Sequence, residues 1–99
     1  MDRLQKTNAL QERAMKSMPL GVNSNGRFWG KGCTPYFSRG KGSHMWDVDG
    51  NEYIDYRLGF GPVILGYAYD EVDNAVIEAL HSGVTPGITC EREVEVAEA

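Results

Sequence analysis

The chain has 99 residues, 41% hydrophobic and 24% charged, with a formal net charge of −4. That length suits one small domain with a modest core, because a short chain buries a smaller share of its surface. No apolar run approaches the roughly 18 residues of a membrane span, no apolar leader core opens the chain, and Cys33 and Cys90 stand far apart with no zinc-binding spacing.

Residues Asp2–Ser17 are rich in Ala, Leu, Gln, Glu, Lys and Met, which predicts a first helix. Its stripe of Leu4, Thr7, Leu10, Ala14 and Met18 is thin and calls for a partner surface. Pro19 ends it, since the residue before a proline is driven out of the helical region. Leu20–Thr34, rich in Gly and Asn, reads as a loop. Three strands are expected next, at Tyr36–Arg39, Ser43–Val48 and Glu52–Tyr56. Gly40-Lys41-Gly42 and Asp49-Gly50-Asn51 form the turns between them.

Gly59-Phe60-Gly61-Pro62 breaks the sheet ahead of a short apolar run, Val63–Gly66. A second helix starts near Asp70. Val72, Ala75, Val76, Ala79 and Leu80 give it the best amphipathic pattern in the chain, and Gly83 stops it. A third helical pattern runs from Glu91 to Ala99 with an acidic first turn. The chain ends inside that pattern, which reads as a fragment. Unpaired apolar surface on the outer helices predicts an isolated chain that is marginal or self-associating. The fold class is therefore α+β: an N-terminal helix, a three-stranded antiparallel meander and further helices.

Charge is polarised along the chain. Met1–Trp46 carries eight Lys or Arg against Asp2 and Glu12; Asp47–Ala99 carries twelve acids against Arg57 and Arg92. Solvated faces, or halves that pair, account for this first. Steering of an anionic ligand to the basic half is the functional alternative. Free thiols and the lack of a leader point to the cytoplasm.

The local motifs carry little chemistry by themselves. Asp47-Val48-Asp49-Gly50-Asn51 has a superficial calcium-loop look, but its glycine follows the second Asp directly, as in a hairpin. Gly26–Gly32 lacks the spacing and the Ser/Thr of a phosphate loop. Arg27, Phe28, Trp29 and Lys31 make one short cation–aromatic cluster in an acidic chain, too little for a nucleic-acid site. His44 and His81 have no partners at metal spacing. No metal ligands and no catalytic residue are assigned.

The order of larger features is more specific. Met18-Pro19-Leu20-Gly21-Val22-Asn23-Ser24 is followed by Arg27. Then come Trp46–Tyr56, WDVDGNEYIDY, and Gly61-Pro62-Val63-Ile64-Leu65-Gly66. From about Met18 to Ala97 this resembles the class III pyridoxal-phosphate-dependent aminotransferases, in particular the glutamate-1-semialdehyde 2,1-aminomutase branch. The resemblance implies the N-terminal part of a fold type I transferase, a homodimeric parent, and pyridoxal 5′-phosphate held on a Lys far downstream. It implies amino acid or amine donors and carbonyl acceptors, with neither nucleic acid nor membrane as partner.

By the same resemblance, residues 1–99 are the N-terminal, small-domain part of such an enzyme, and the large cofactor domain is not among them. Lys6, Lys16, Lys31 and Lys41 all fall outside the Schiff-base motif, so the chain alone is expected to be inactive. What it would contribute is the substrate pocket: Arg27 facing a substrate carboxylate, Ser24 beside it, and Phe60 where aminomutases carry a Trp. Three departures crowd this region. Asn25-Gly26 replaces Pro-Val, Phe60 replaces Trp, and Gly66-Tyr67-Ala68-Tyr69-Asp70 replaces Gly-His-Ala-His-Pro. They favour an aminotransferase of different substrate range over a true aminomutase. The alternative from another class is a non-catalytic α+β binding or interaction protein.

Overall fold

The structure, a computed structural model, describes residues 3–99; Met1 and Asp2, and with them the expected helix start at Asp2, lie outside the described residues. The chain divides into two compact units, Met1–Tyr69 and Asp70–Ala99. It is α+β, with three α-helices and one three-stranded antiparallel sheet.

In the first unit, helix α1 spans Gln5–Ala14. Leu4, at its N-cap position, supplies no side-chain cap. The cap comes instead from the far side of the unit. The Asp49 carboxylate accepts the Lys6 N–H at 2.7 Å and the Thr7 N–H at 2.8 Å. Two of the helix's orphan donors are thus satisfied by an anion placed at the positive end of the helix dipole. Asn51 adds a second tie: its Oδ1 accepts from Arg3 Nε at 2.7 Å, and its Nδ2 donates to the Arg3 carbonyl at 2.9 Å. The inward face of α1 is polar. Thr7 and Gln11, one turn apart, are buried. Gln11 Oε1 accepts the Gly32 N–H at 2.9 Å and its Nε2 lies 3.4 Å from the Gly30 carbonyl, clamping the glycine loop. The apolar stripe read from the sequence includes Thr7 but omits Gln11. Past Ala14 the chain continues in overlapping turns to Met18, and Pro19–Gly21 forms a 3₁₀ turn.

The sheet consists of β1 (Phe37–Lys41), β2 (His44–Asp47) and β3 (Glu52–Ile54), in that order. Phe37 faces Asp47 while Arg39 faces Trp46, so Ser38 is the extra residue of a β-bulge. Strand β2 pairs with β3 through Met45–Tyr53. β1 extends two residues beyond the expected Arg39, leaving Gly42, at φ 56°, to make the turn. Gly40 belongs to the strand because the Tyr67 ring lies on it: a Cβ there would meet Tyr67 Cδ2 at 2.7 Å. β3 ends two residues short of the expected Tyr56. Asp55 accepts the N–H groups of Arg57 and Leu58 at 2.7 and 3.2 Å, and that local turn outcompetes the ladder. The apolar run Val63–Gly66 forms no strand. It leads to a single antiparallel bridge between Gly42 and Tyr67.

The second unit holds α2 (Asp70–Leu80) and α3 (Glu91–Glu98). Asp70, Glu71 and Asp73 occupy the first turn of α2, which complements the helix dipole. Asp70 is itself the first helical residue, the position held by proline in the family pattern. Gly83, at φ 91°, closes the end of α2 with a hydrogen bond to the Leu80 carbonyl. Val72, Val76, Ile77 and Leu80 are all about half exposed.

Among the described residues no apolar side chain is fully buried; the buried polar and charged residues are Thr7, Gln11, Thr34, Asp47 and Asp55. Hydrogen bonds to buried carboxylates therefore carry an unusual share of the architecture. Asp49→Ala is expected to remove this cap and lower the stability of the unit. Urea denaturation should read that loss, and hydrogen exchange should show faster exchange at Lys6 and Thr7 than in the β2–β3 ladder.

Candidate functional site

Asp47 closes the β2–β3 turn. Its Oδ1 accepts the backbone N–H of Asp49 at 3.0 Å and of Asn51 at 2.8 Å. Its Oδ2 accepts Asn51 Nδ2 at 2.9 Å and the Tyr53 hydroxyl at 2.8 Å. The carboxylate is only 3% exposed. Burial raises its pKa, but the bonds from Asn51, Tyr53 and Asp49 outweigh it and hold Asp47 below its ordinary value. Asp49, at the start of α1, is likewise lowered: desolvation opposes ionisation, and hydrogen bonds from Thr7 and Lys6 prevail. Both Asp residues of the calcium-like motif thus direct their oxygens to the hairpin and to the helix.

Above this hairpin lies an open groove of about 570 Å³. Met45, Tyr53 and the two buried aspartates Asp47 and Asp55 line its floor side, with Trp29 and Tyr36 among its aromatic walls. Two short 3₁₀ turns form its lips, Asn25–Arg27 and Leu58–Phe60. Arg27 and Phe60, both singled out from the sequence, line this one groove. Arg27 is exposed, and its Nη1 donates to Asn23 Oδ1 at 2.9 Å. That partner is neutral, and among the described residues no carboxylate forms an ion pair with this guanidinium. Phe60 is 62% exposed, with its ring end packed against Gly26. Ser24 does not line the groove; it precedes the Asn25–Arg27 turn, and its carbonyl accepts the Arg27 N–H at 3.0 Å.

Sequence reasoning passed over two groups at this site. Arg57 donates from Nη1 to the Gly26 carbonyl at 2.7 Å, and its guanidinium carbon sits 4.9 Å from the Phe60 ring centroid. Its signal was available: it is one of two cations in the acidic half of the chain. The other is the Asp55–Tyr67 pair, where the Tyr67 hydroxyl donates to Asp55 Oδ2 at 2.7 Å. The bond from Tyr67 is the main reason Asp55 lies below its ordinary pKa, and the same bond pushes the Tyr67 phenol up to about 12. Tyr67 had been marked only as a departure from histidine.

His44 Nδ1 lies 2.7 Å from Glu52 Oε1, across β2 and β3, and Arg39 stacks 3.6 Å over the Trp46 ring. Among the described residues no lysine lines the groove.

The Asp55–Tyr67 bond links stability to pH at both ends of the scale. Asp55 is depressed in the folded state, so its contribution is present above its unfolded value and is lost as pH falls through the lower folded one. Tyr67 is raised, so its contribution is complete below about 10 and is lost as pH climbs toward about 12. Tyr67→Phe should cost about 1.5–3 kcal/mol at neutral pH, the range for a hydrogen bond to a charged group. In thermal denaturation across pH it should also reduce the alkaline loss between those values, leaving the part owed to Tyr53, whose phenol is raised by burial and by its bond to Asp47. The most alkaline step of phenolate absorbance should disappear with it.

No family model matches the chain. It is 48% identical over 96 residues to the glutamate-1-semialdehyde 2,1-aminomutase of Sulfurihydrogenibium azorense, covering 95% of this chain and 22% of that protein. To the enzyme of the same name from Bordetella avium it is 50% identical over 91 residues, covering 90% and 21%. Among solved structures, an omega-transaminase from Sphaerobacter thermophilus superposes with a TM-score of 0.80 at 33% identity, over 91% of this chain and 20% of that one. A transaminase with bound pyridoxal phosphate matches at 0.83 and 35%, over 95% and 22%. The chain thus spans about a fifth of the length of the curated relatives it matches.

Proposed function

We propose, from the premise that this chain belongs to the class III pyridoxal-phosphate-dependent aminotransferase family, that it is the substrate-facing N-terminal segment of an enzyme moving an amino group between an amino acid or amine and a carbonyl compound. Bound cofactor would supply carbanion stabilisation, and its lysine and phosphate site would lie outside these residues. The enzyme would be a homodimer, as the family resemblance implies, and would work in the cytoplasm, where two free thiols fit. Among the described residues no helix is long and apolar enough to cross a membrane.

One observation carries the reading. Arg27 presents a guanidinium with only a neutral partner, at the lip of an aromatic groove that Phe60 also lines. A planar guanidinium pairs in bidentate fashion with a carboxylate, and the Asn23 amide fixes one of its nitrogens without neutralising it. Phe60, exposed at the opposite lip, would close over a bound substrate and exclude water. Ser24, beside the Arg27 turn but outside the groove lining, would add a polar contact only after a rotation toward the groove. Glycine stands at position 26 in place of the family's valine, and the Phe60 ring end lies 3.4 Å from where a Cβ there would sit, an ordinary contact distance. That exchange of bulk between the lips supports a substrate range different from that of an aminomutase.

In the enzyme carrying this segment, Arg27→Ala should lower kcat/KM for carboxylate-bearing donors about ten- to a hundred-fold, matching a lost charge-assisted bond of roughly 1.5–3 kcal/mol. Neutral amines should change little. Arg27→Lys should restore part of the loss, since it keeps the charge without the planar fork. Equal losses on both substrate classes would make Arg27 a structural loop residue. For the 99-residue chain by itself, incubation with pyridoxal phosphate and borohydride should leave no single lysine stoichiometrically labelled. Mass spectrometry of the digest reads this directly, and one specific, complete modification would overturn the assignment of the cofactor lysine to other residues.

A further inference from the structure

We infer that Arg57 is a positioning residue that couples the two lips of the groove and thereby sets the direction of Arg27. This inference rests on the reading of Arg27 as a carboxylate anchor and adds the device that aims it. Three contacts meet at Arg57. Its backbone N–H donates to buried Asp55 at 2.7 Å, and Asp55 is fixed in turn by the Tyr67 hydroxyl. Its Nη1 donates to the Gly26 carbonyl at 2.7 Å, in the middle of the Asn25–Arg27 turn. Its guanidinium faces the Phe60 ring, and that ring packs on Gly26. A closed circuit therefore runs from Asp55 through Arg57 to the turn that bears Arg27, and back through Phe60 to the turn that Asp55 initiates.

Both lips need such a constraint. Leu58 and Phe60 sit at φ 52° and 69°, a left-handed conformation that non-glycine residues adopt only when their surroundings hold them. The opposite lip has only two backbone hydrogen bonds, from Arg27 N–H to Ser24 and from Phe28 N–H to Asn25, both at 3.0 Å, and no side-chain cap. Arg57 is exposed and touches neither Arg27 nor the hairpin floor in any of these contacts, so it acts on Arg27 through the Gly26 peptide. It also differs from Arg27 in role. Arg27 keeps its charge for a ligand, whereas one face of Arg57 is taken by an aromatic ring and one nitrogen by a carbonyl.

The test uses the 99-residue chain and, separately, the enzyme that carries it. In the chain, Arg57→Ala should speed amide exchange at Arg27 and Phe28 by about tenfold or more, the lower end of the loss expected for one charge-assisted bond, while the Met45–Tyr53 ladder keeps its rates. Arg57→Lys should recover most of that protection, because Lys retains a cationic donor for the Gly26 carbonyl. Phe60→Leu should leave that tether intact and give intermediate rates. Unchanged exchange at Arg27 and Phe28 in Arg57→Ala overturns the coupling. So does acceleration spread evenly over the sheet, which marks general destabilisation. In the enzyme, Arg57→Ala should raise KM for carboxylate donors with little change in kcat, and should shrink the additional penalty of Arg27→Ala. If Arg27→Ala is carboxylate-selective but its penalty is unaltered by Arg57→Ala, the anchor reading stands and the coupling falls. If Arg27→Ala shows no selectivity, the anchor reading falls, and the exchange rates still decide the coupling.

Discussion

Four hydrogen bonds converge on the Asp47 carboxylate, and the first unit of this protein depends on them. Two come from the backbone of the hairpin turn and two from side chains of Asn51 and Tyr53. A carboxylate that is 3% exposed is costly to bury unless every lone pair finds a donor. Here each oxygen has two. The turn so fixed points Asp49 at the N-terminus of α1 and Asn51 at Arg3, so one buried anion sets both the hairpin and the docking of the helix. In a unit with no fully buried apolar side chain among its described residues, this polar knot does what a hydrophobic core does elsewhere: it allows one arrangement and penalises the others.

A second buried carboxylate repeats the device one strand later. Asp55 ends β3, starts the Leu58–Phe60 turn and receives the Tyr67 hydroxyl. Tyr67 in turn lies over Gly40 and bridges to Gly42. The groove between these knots inherits its shape from them. Its lips are strained or thinly bonded turns, whereas its floor is the ladder and the two aspartates. Such a division suits a binding surface, since recognition residues stand on short loops held by a rigid scaffold. It also relates the polarised charge of the sequence to the fold. Acids of the second half, Asp49 above all, meet the N-terminal helix of the first half, while Arg27 is left to face the groove without an acid of its own.

Most of the regular structure was legible in the sequence. Helix α2 follows from its apolar spacing and its stop from Gly83, and the meander from alternation and the Asp-Gly-Asn turn; α1 ends at Ala14, short of the expected Ser17, and overlapping turns carry the chain on to Pro19. The errors lie at the ends. β1 runs longer than expected because Gly40, read as a turn residue, is required by a ring 27 positions downstream. β3 runs shorter because the Asp55 side chain competes for the backbone. Gln11 is polar and so stands outside the apolar stripe, although it is buried on the inward face. That Arg27 and Phe60 are candidates was legible through the order of motifs along the chain, and both line one groove. Arg57 and the Asp55–Tyr67 pair were not legible, since their partners are up to 31 residues apart.

By itself the sequence determined the α+β class, the element order and the family, because these depend on local propensity and on short motifs whose spacing is visible along the chain. Only the tertiary structure decided which polar groups are buried, that a hairpin aspartate caps a helix 42 residues before it, and that Arg57 rather than an acid stands behind the Arg27 turn. Hydrogen bonds to carboxylates are directional and long-range. Their partners are selected by where the folded backbone places donors, and no periodicity of residue types records that geometry.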